Sequence, residues 1–228
     1  MIISHRYRFI FLKTVKTAGT SIEVMLSRHC DERDVVTPIY PHVEPHVPRN
    51  YSGVWNPLPE LVQNGVRGAP RLLKDLVKRN KFYNHIRGRD LRHRISTTTW
   101  NEYFKFCVER NPWDKTLSHY HMIRDRLGGN LTLDAYLARG EFCTDLDKYT
   151  DRDGRVIVDE VILYEQLVDA LGAILPRLGI PFDGTLGVTA KAEHRKDKRP
   201  YREILTRAQG DIVARAFARE IAMYGYEF

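Results

Sequence analysis

The stretch that decides the fold is Phe9-Ile-Phe-Leu-Lys-Thr-Val-Lys-Thr-Ala-Gly-Thr-Ser-Ile22. Its apolar start predicts a strand over residues 9–15, and the apolar residues after the polar turn recur at helical spacing, which predicts a helix over residues 19–30. The start of a helix carries unpaired N–H groups and the positive end of the helix dipole, so it attracts anions. With Lys16 beside it, this turn is expected to hold a phosphorylated nucleotide or a similar anion.

This turn differs from a Walker A sequence, which needs a glycine, four further residues and then Gly-Lys-Ser/Thr. Here Lys16 comes before the glycine, and no glycine precedes the lysine. The order Lys-Thr-x-Gly-Thr-Ser resembles the 5′-phosphosulfate loop of sulfotransferases that use 3′-phosphoadenosine 5′-phosphosulfate (PAPS). The plain alternative is a strand-to-helix turn in which Thr20 or Ser21 caps the helix.

A second segment has the same strand, turn and helix pattern: Phe104-Lys-Phe-Cys-Val-Glu-Arg-Asn-Pro-Trp-Asp-Lys-Thr-Leu-Ser-His-Tyr120. Alternating apolar residues predict the strand, the Asn-Pro pair ends it, and Asn111 or Asp114 is suited to cap the helix. Arg110 then lies at the strand end and Ser118 about two turns into the helix, where a forked charged donor and a hydroxyl suit one phosphate. The string Arg-Asn-Pro-x-Asp-Lys-x-x-Ser-x-Tyr resembles the 3′-phosphate signature of the same enzymes.

Alternation of strands and helices along the chain predicts an α/β fold: a single P-loop-like domain with a central, mainly parallel sheet flanked by helices. Beyond the two motif segments, a strand is predicted over residues 155–164 and helices over 131–139, 165–178 and 208–224. Ligands of such sheets bind beyond the carboxyl ends of strands, where both motifs sit.

An irregular, proline-rich insertion is predicted over about residues 31–80, because residues 38–70 hold seven of the eleven prolines. Long irregular segments in compact domains are often functional, so we expect this one to shape an acceptor pocket. Within it, the segment from Arg71 to Lys78 predicts a short basic helix.

Composition narrows the class of protein. The 228 residues suffice for one domain with a buried core, predicted to span residues 1–228. No apolar run approaches the ~18 residues that a membrane helix needs, and no signal peptide is evident, so we expect a cytoplasmic protein. The net charge of +7 favours anionic partners. Nucleic acid is not expected among them, because no basic and aromatic platform of a known module is present.

Over most of its length the chain is similar to the sulfotransferase family that includes bacterial members and the Golgi carbohydrate sulfotransferases. The resemblance implies transfer of a sulfuryl group from PAPS to an acceptor hydroxyl, on a carbohydrate or a small alcohol, with release of adenosine 3′,5′-bisphosphate and without a metal. The sequence departs from the family at Val15, where relatives often have proline, and at Lys115, where they often have arginine. Oligomeric state and the identity of the acceptor are left open.

The resemblance also implies roles for individual residues. Lys16 would stabilise the bridging oxygen as the S–O bond breaks, and residues of the turn would bind the 5′-phosphate: Thr17, Ala18, Gly19, Thr20 and Ser21. Arg110 and Ser118 would hold the 3′-phosphate; the alternative for Arg110 is an ion pair with Asp114 or Glu109. Lys198 and Arg199, in a basic stretch before the last helix, would contact the donor.

A base is needed to remove the acceptor proton, and histidine suits this task near neutral pH. Of the nine histidines, His85 stands where relatives place a histidine before the second motif. His42 and His46 bracket Glu44 in the insertion and are the alternatives. Two other functions stay open: a P-loop-like nucleotide kinase or NTPase, and a non-enzymatic protein that binds anions or nucleic acid.

Overall fold

The centre of the protein is a mixed five-stranded sheet. A computed structural model describes residues 1–187, 197 and 199–228. The strands are β1 (Ile2–Ser4), β2 (Phe9–Leu12), β3 (Val35–Val36), β4 (Phe104–Glu109) and β5 (Glu160–Leu163). Their order in the sheet is β3-β1-β2-β4-β5.

The strand directions confirm an α/β fold but correct one detail. β2, β4 and β5 run parallel, as expected, whereas β1 is antiparallel to both β2 and β3. Four residues, 5–8, connect β1 to β2. That length suits a hairpin and is too short for the crossover that a parallel pair requires. The sheet is therefore mixed, with its parallel part at β2, β4 and β5.

Helices surround the sheet. In chain order they are α1 (Gly19–Ser27), α2 (Leu58–Asn64), α3 (Ala69–Val77), α4 (Gly88–Leu91), α5 (Thr97–Glu102), α6 (Pro112–Arg126), α7 (Leu133–Ala138), α8 (Leu146–Tyr149), α9 (Leu167–Arg177), α10 (Tyr201–Ile204), α11 (Arg207–Ala216) and α12 (Ala218–Tyr224). Within the described ranges, no helix combines the length and the apolar character that a membrane span requires.

Several predicted elements differ in extent. The predicted terminal helix is two helices, α11 and α12, and the proline-rich insertion contains the edge strand β3 and the helices α2 and α3 as well as irregular chain. The predicted basic helix in that insertion is confirmed as α3.

The central strands bury both faces. Phe9 and Phe11 of β2 pack with α1 and α9 on one face, and Ile10 and Leu12 pack on the other face with side chains that include Trp100 of α5. This alternation is what a strand covered by helices on both sides requires.

Parallel pairing of β2 and β4 brings the two motifs together. Their register places Leu12 opposite Cys107, so the two strands end side by side. The segment after β2 (residues 13–18, the first loop) and the segment after β4 (residues 110–111, the second loop) therefore emerge next to each other. Asn111 caps α6 by accepting N–H bonds from Trp113 and Asp114, which fixes the exit of the second loop.

Candidate functional site

Both motif segments line one open cavity of about 1170 Å³. Residues 13–21 come from the first loop and the start of α1, while Arg110 and Ser118 come from the second loop and α6. His85 and residues 164–169 complete much of the wall. Every predicted residue of the phosphate-binding turn thus faces the same space as the predicted 3′-phosphate pair.

The charges around this cavity favour an anion. Among the described lining residues, basic side chains outnumber acidic ones by four to two: Lys13, Lys16, Arg110 and Arg126 against Glu165 and Asp169. A concave surface lined mainly by one sign of charge concentrates ligands of the opposite sign.

The backbone of the first loop has the shape of an anion-binding nest. Lys16 and Ala18, on either side of Thr17, have positive φ angles of 61° and 58°. Backbone that alternates in this way turns successive N–H groups toward one centre, which is a common concavity for phosphate. The conformation is costly for residues other than glycine, so the surrounding contacts must hold it in place.

The start of α1 adds a second source of N–H groups. Gly19 is its first residue, and within the described part of the chain no side chain caps it. Thr20 and Ser21 lie in the first turn and not at the N-cap, which corrects the plain alternative for these residues. Gly19 also makes room for a neighbour, because a Cβ there would lie 2.7 Å from the Cγ of Lys13. The ammonium group of Lys13 is in turn ion-paired with buried Glu23.

Arg110 links the two loops. Its Nη1 donates to the backbone carbonyl of Lys16 at 3.0 Å, and its Nε donates to Asp114 at 2.9 Å. The guanidinium carbon lies 4.2 Å from the centroid of the Tyr164 ring. The ion pair with Asp114 is therefore formed, through both Nε and Nη2, and together with the Nη1 bond it uses three of the five N–H donors of the guanidinium. Ser118 lies half-buried on α6 in the wall of the same cavity.

A buried ion network under the loops ties them together. The Lys115 ammonium lies 2.6 Å from Glu109 Oε1 and 2.6 Å from Asp145 Oδ2. Asp145 accepts the backbone N–H of Val15 at 2.7 Å, and Glu109 accepts that of Arg110 at 2.9 Å. A continuous chain of charged contacts thus runs from the first loop to the second.

Mutual attraction keeps this network ionised in spite of its burial. Burial favours the neutral form of Asp145, yet Lys115 and Lys148 outweigh it and hold the pKa of Asp145 below its ordinary value. Burial likewise opposes the charge of Lys115, but Asp145 and Glu109 raise its pKa above the ordinary lysine value. Lys115 is therefore an internal cation.

His85 is a half-buried neutral imidazole in the cavity wall. Its Nδ1 lies 3.1 Å from the backbone carbonyl of Lys13. A carbonyl only accepts hydrogen bonds, so Nδ1 carries the proton and Nε2 keeps its lone pair. Burial, followed by the charge of Lys13, lowers the pKa of His85 to about 4. The side chain is therefore neutral at pH 7, with the lone pair of Nε2 available.

The other two candidate bases lie elsewhere. His46 is buried, with Nε2 2.8 Å from the Thr37 carbonyl, and His42 is exposed; neither belongs to the described wall of the cavity. No group of three or more His, Cys, Asp or Glu side chains among the described residues is arranged to hold a metal ion. Metal-free chemistry stays a prediction.

The basic stretch before the last helices is placed only in part. Arg199 is exposed and pairs with Asp197 at 2.7 Å. It lines a second hollow, of about 620 Å³, and not the main cavity. The two spaces share Glu165, so they are adjacent. Lys198 lies outside the described residues.

Sequence reasoning missed several residues around the cavity. Glu165 accepts the backbone N–H of Asn111 at 2.8 Å and the hydroxyl of Tyr226 at 3.2 Å, so it joins the second loop to the C-terminal segment. Lys13 lies three residues before Lys16 and carried a visible signal, a charged residue at the end of an apolar run. Asp145 carried none, because its contact with the loop spans 130 residues of sequence.

Comparison with known proteins identifies a relative. No protein-family model matches the chain. A segment of 113 residues is 30% identical to a protein of Archaeoglobus fulgidus, and the match covers 46% of this chain and 94% of that protein. The chain belongs to the same family as this archaeal protein. Because that relative is described as uncharacterized, the family brings no activity with it.

One solved structure resembles the whole chain distantly. It is the crystal structure of a sulfotransferase from Alicyclobacillus acidocaldarius, which is 18% identical and matches with a TM-score of 0.44 over 96% of each chain. A likeness at that level carries no argument about activity.

Proposed function

We propose that the protein is a sulfotransferase that moves a sulfuryl group from PAPS to an acceptor hydroxyl and releases adenosine 3′,5′-bisphosphate. The observation that carries this proposal is the meeting of the two motif loops at one cavity, joined by the 3.0 Å hydrogen bond from Arg110 to the Lys16 carbonyl. A donor with phosphate groups at both ends of its ribose needs two such binding regions a short distance apart.

The donor would lie with its 5′-phosphosulfate on the first loop. N–H groups of the nest around Thr17 and of the start of α1 would bind the 5′-phosphate. Arg110 and Ser118 would hold the 3′-phosphate, which distinguishes PAPS from simpler adenine nucleotides. Arg199 and Lys198 are proposed to cover the nucleotide from the neighbouring basic stretch.

Transfer requires one bond to form as another breaks. The acceptor oxygen would bond to sulfur, and the bond from sulfur to the bridging oxygen of the phosphosulfate would break. Lys16 would stabilise the negative charge that develops on that bridging oxygen. The acceptor proton would pass to Nε2 of His85, whose lone pair is available because Nδ1 carries the proton toward the Lys13 carbonyl.

The acceptor is proposed to be a carbohydrate or a small alcohol that enters beside His85. Tyr40 of the proline-rich insertion also borders the cavity, which supports a role for the insertion in acceptor choice. A sugar hydroxyl and a simple alcohol present the same nucleophile, an alcohol oxygen, so the same residues of the site would act on either acceptor.

Thermal unfolding with nucleotides provides the first test. Adenosine 3′,5′-bisphosphate at about 100 times its Kd should stabilise the protein by about 2.7 kcal/mol. For a chain of this size that is a rise in Tm of roughly 5–10 °C. Adenosine 5′-monophosphate at the same concentration should give a smaller rise, because it lacks the 3′-phosphate.

Two variants connect this result to the site. Arg110→Gln and Ser118→Ala should each reduce the difference between the two nucleotides, whereas Arg207→Gln, at an exposed position on α11, should leave it unchanged. Equal stabilisation by both nucleotides would count against the assigned 3′-phosphate pair.

A transfer assay decides the reaction. Labelled sulfate from PAPS should appear on members of a panel of glycans and small alcohols, and the transfer should need no added divalent metal. Magnesium-dependent turnover of ATP without sulfate transfer would instead support a nucleotide kinase or NTPase.

A further inference from the structure

Helix α3 carries an apolar stripe on its exposed surface. Val66, in the turn before the helix, is 89% exposed, and Leu73 and Val77 are 63% and 77% exposed. Pro70 is exposed between them. The spacing of four, three and four residues places these side chains on one face of a helix. The stripe points away from the buried side of α3, where Leu72 packs inward.

Helix α2, which lies next to α3 in the chain, also carries exposed apolar residues. Leu58 and Val62 are one helical turn apart and are 63% and 83% exposed. The two helices pack against each other. Isolated exposed apolar residues are ordinary on protein surfaces, but a regular series on two neighbouring helices marks a surface that meets a partner.

A basic stripe runs beside the apolar one. It has the same spacing and consists of four exposed side chains, Arg67, Arg71, Lys74 and Lys78. Together with the apolar residues of α2 and α3 it forms what we term the α2–α3 face.

The α2–α3 face has no exposed negative charge to balance these cations. Between residues 51 and 81 the sequence contains two acidic residues, Glu60 and Asp75. Both are buried, where they pair with Arg94 at 2.7 and 3.0 Å. The internal pairs hold the insertion together, and the positive charges are left at the surface.

We propose that the α2–α3 face docks on the surface of an anionic lipid bilayer. A helix with an exposed apolar stripe and a basic flank lies in the plane of a membrane interface, with its apolar side chains among the upper acyl chains and its cations at the lipid headgroups. The α2–α3 face has both parts side by side, the exposed apolar residues and the basic stripe.

Charge argues against a second copy of the chain as the occupant. A two-fold dimer pairs the same patch with itself, so it would bring the basic stripes of two subunits close together. A bilayer that contains anionic lipid supplies the opposite charge along the whole stripe.

This surface lies close to the proposed active site along the chain. Arg71 donates a hydrogen bond to the hydroxyl of Tyr83, and His85 follows two residues later. Docking would therefore hold the cavity wall near the membrane surface. The inference does not depend on sulfuryl transfer, since it concerns binding alone.

Vesicle co-sedimentation of the full chain tests this proposal. Vesicles of phosphatidylcholine with about 30% phosphatidylglycerol should bind the protein at low salt, and binding should weaken as NaCl is raised. Vesicles of pure phosphatidylcholine should bind it at least about tenfold more weakly, because the attraction between the basic side chains and anionic headgroups is then lost.

Matched variants assign the binding to the face. Lys74→Glu/Lys78→Glu and Leu73→Ser/Val77→Ser should each lower binding to anionic vesicles at least about tenfold. Arg155→Glu/Arg207→Glu makes the same change in net charge at positions that are 80% and 79% exposed elsewhere, and should retain most of the binding. Thermal unfolding of every variant checks that the fold is kept.

Three results would overturn the proposal. The first is failure of the unmodified protein to bind anionic vesicles at low salt. The second is equal loss of binding in the control variant, which would assign the effect to net charge. The third is concentration-dependent self-association, measured by sedimentation velocity, that Leu73→Ser/Val77→Ser abolishes, because the occupant would then be a second copy of the chain.

Discussion

Replacing Lys115 with methionine should destabilise the protein strongly, because it removes the cation from a buried network of two carboxylates. The Lys115 ammonium lies 2.6 Å from Glu109 and 2.6 Å from Asp145, and all three side chains are at most 1% exposed. At an effective dielectric constant of about 20, each contact supplies an attraction of about 6 kcal/mol. Desolvation of the ions offsets most of that sum, so the net loss on removing one partner is about 3–5 kcal/mol.

Urea unfolding at pH 7 measures this loss. The midpoint should fall, and a thermal scan should show a drop in Tm of roughly 6–20 °C for a chain of this size. Arg8→Met is the matched control, since the Arg8–Glu102 pair is also close but its side chains are 59% and 50% exposed. An exposed pair of this kind contributes about 0–1 kcal/mol. The double variant Lys115→Met/Asp145→Asn should lose less stability than the sum of the single variants, because it removes a cation and an anion together.

Two outcomes would refute this reasoning. One is a Lys115→Met protein whose stability lies within about 1 kcal/mol of the unmodified chain, as at an exposed pair. The other is strict additivity of the two substitutions, since that would mean that Lys115 and Asp145 do not interact in the folded state.

Three further predictions concern the cavity. Lys16→Ala should lower kcat for sulfate transfer by about 10²–10³-fold while the protein stays folded, because a positioned cation then no longer neutralises the leaving oxygen; an active variant would contradict the role. Gly19→Ala should lower the free energy of unfolding by about 1–3 kcal/mol and weaken bisphosphate binding, since its Cβ would lie 2.7 Å from a side-chain carbon of Lys13. Gly172→Ala, whose Cβ would have its nearest neighbour at 3.9 Å, should leave stability unchanged or raise it. The pKa of His85 is about 4 in the folded protein and 6.5 in the unfolded chain. Between these values the unfolded chain binds the extra proton, so the contribution of His85 to the free energy of unfolding is present above pH 6.5 and is lost as the pH falls toward 4. His85→Gln should therefore reduce the loss of stability between pH 6.5 and 4, as measured by urea unfolding at a series of pH values, and an unchanged slope would refute the burial of a neutral imidazole.

Local sequence patterns predicted the units of the fold. Apolar runs predicted β2 and β4, and the Asn-Pro pair after β4 predicted the capped start of α6, which the structure confirms. Such features depend on neighbours within a few residues of each other. The three-residue strand β1 was missed for the same reason, since Ile2–Ser4 is too short to show a periodicity.

The insertion shows where local reading failed. Its prolines suggested irregular chain, but α2 forms with Pro57 and Pro59 at its start, and α3 with Pro70 in its first turn. Proline is compatible with the first turn of a helix, so its frequency alone did not exclude helices.

The sequence by itself determined which residues form the two loops and the helix starts that follow them, because turns and helix starts are specified by residues that are adjacent in the chain. The tertiary structure decided which of them share a site. Parallel pairing of β2 with β4 brings Lys16 and Arg110 into contact. The packing of the whole chain places His85 in the described wall of the cavity, and His42 and His46 outside it. It also places Asp145 under the first loop and turns the apolar and basic stripes of α3 outward. These arrangements rest on contacts between residues far apart in the chain, which the packing of the whole core fixes and no short pattern records.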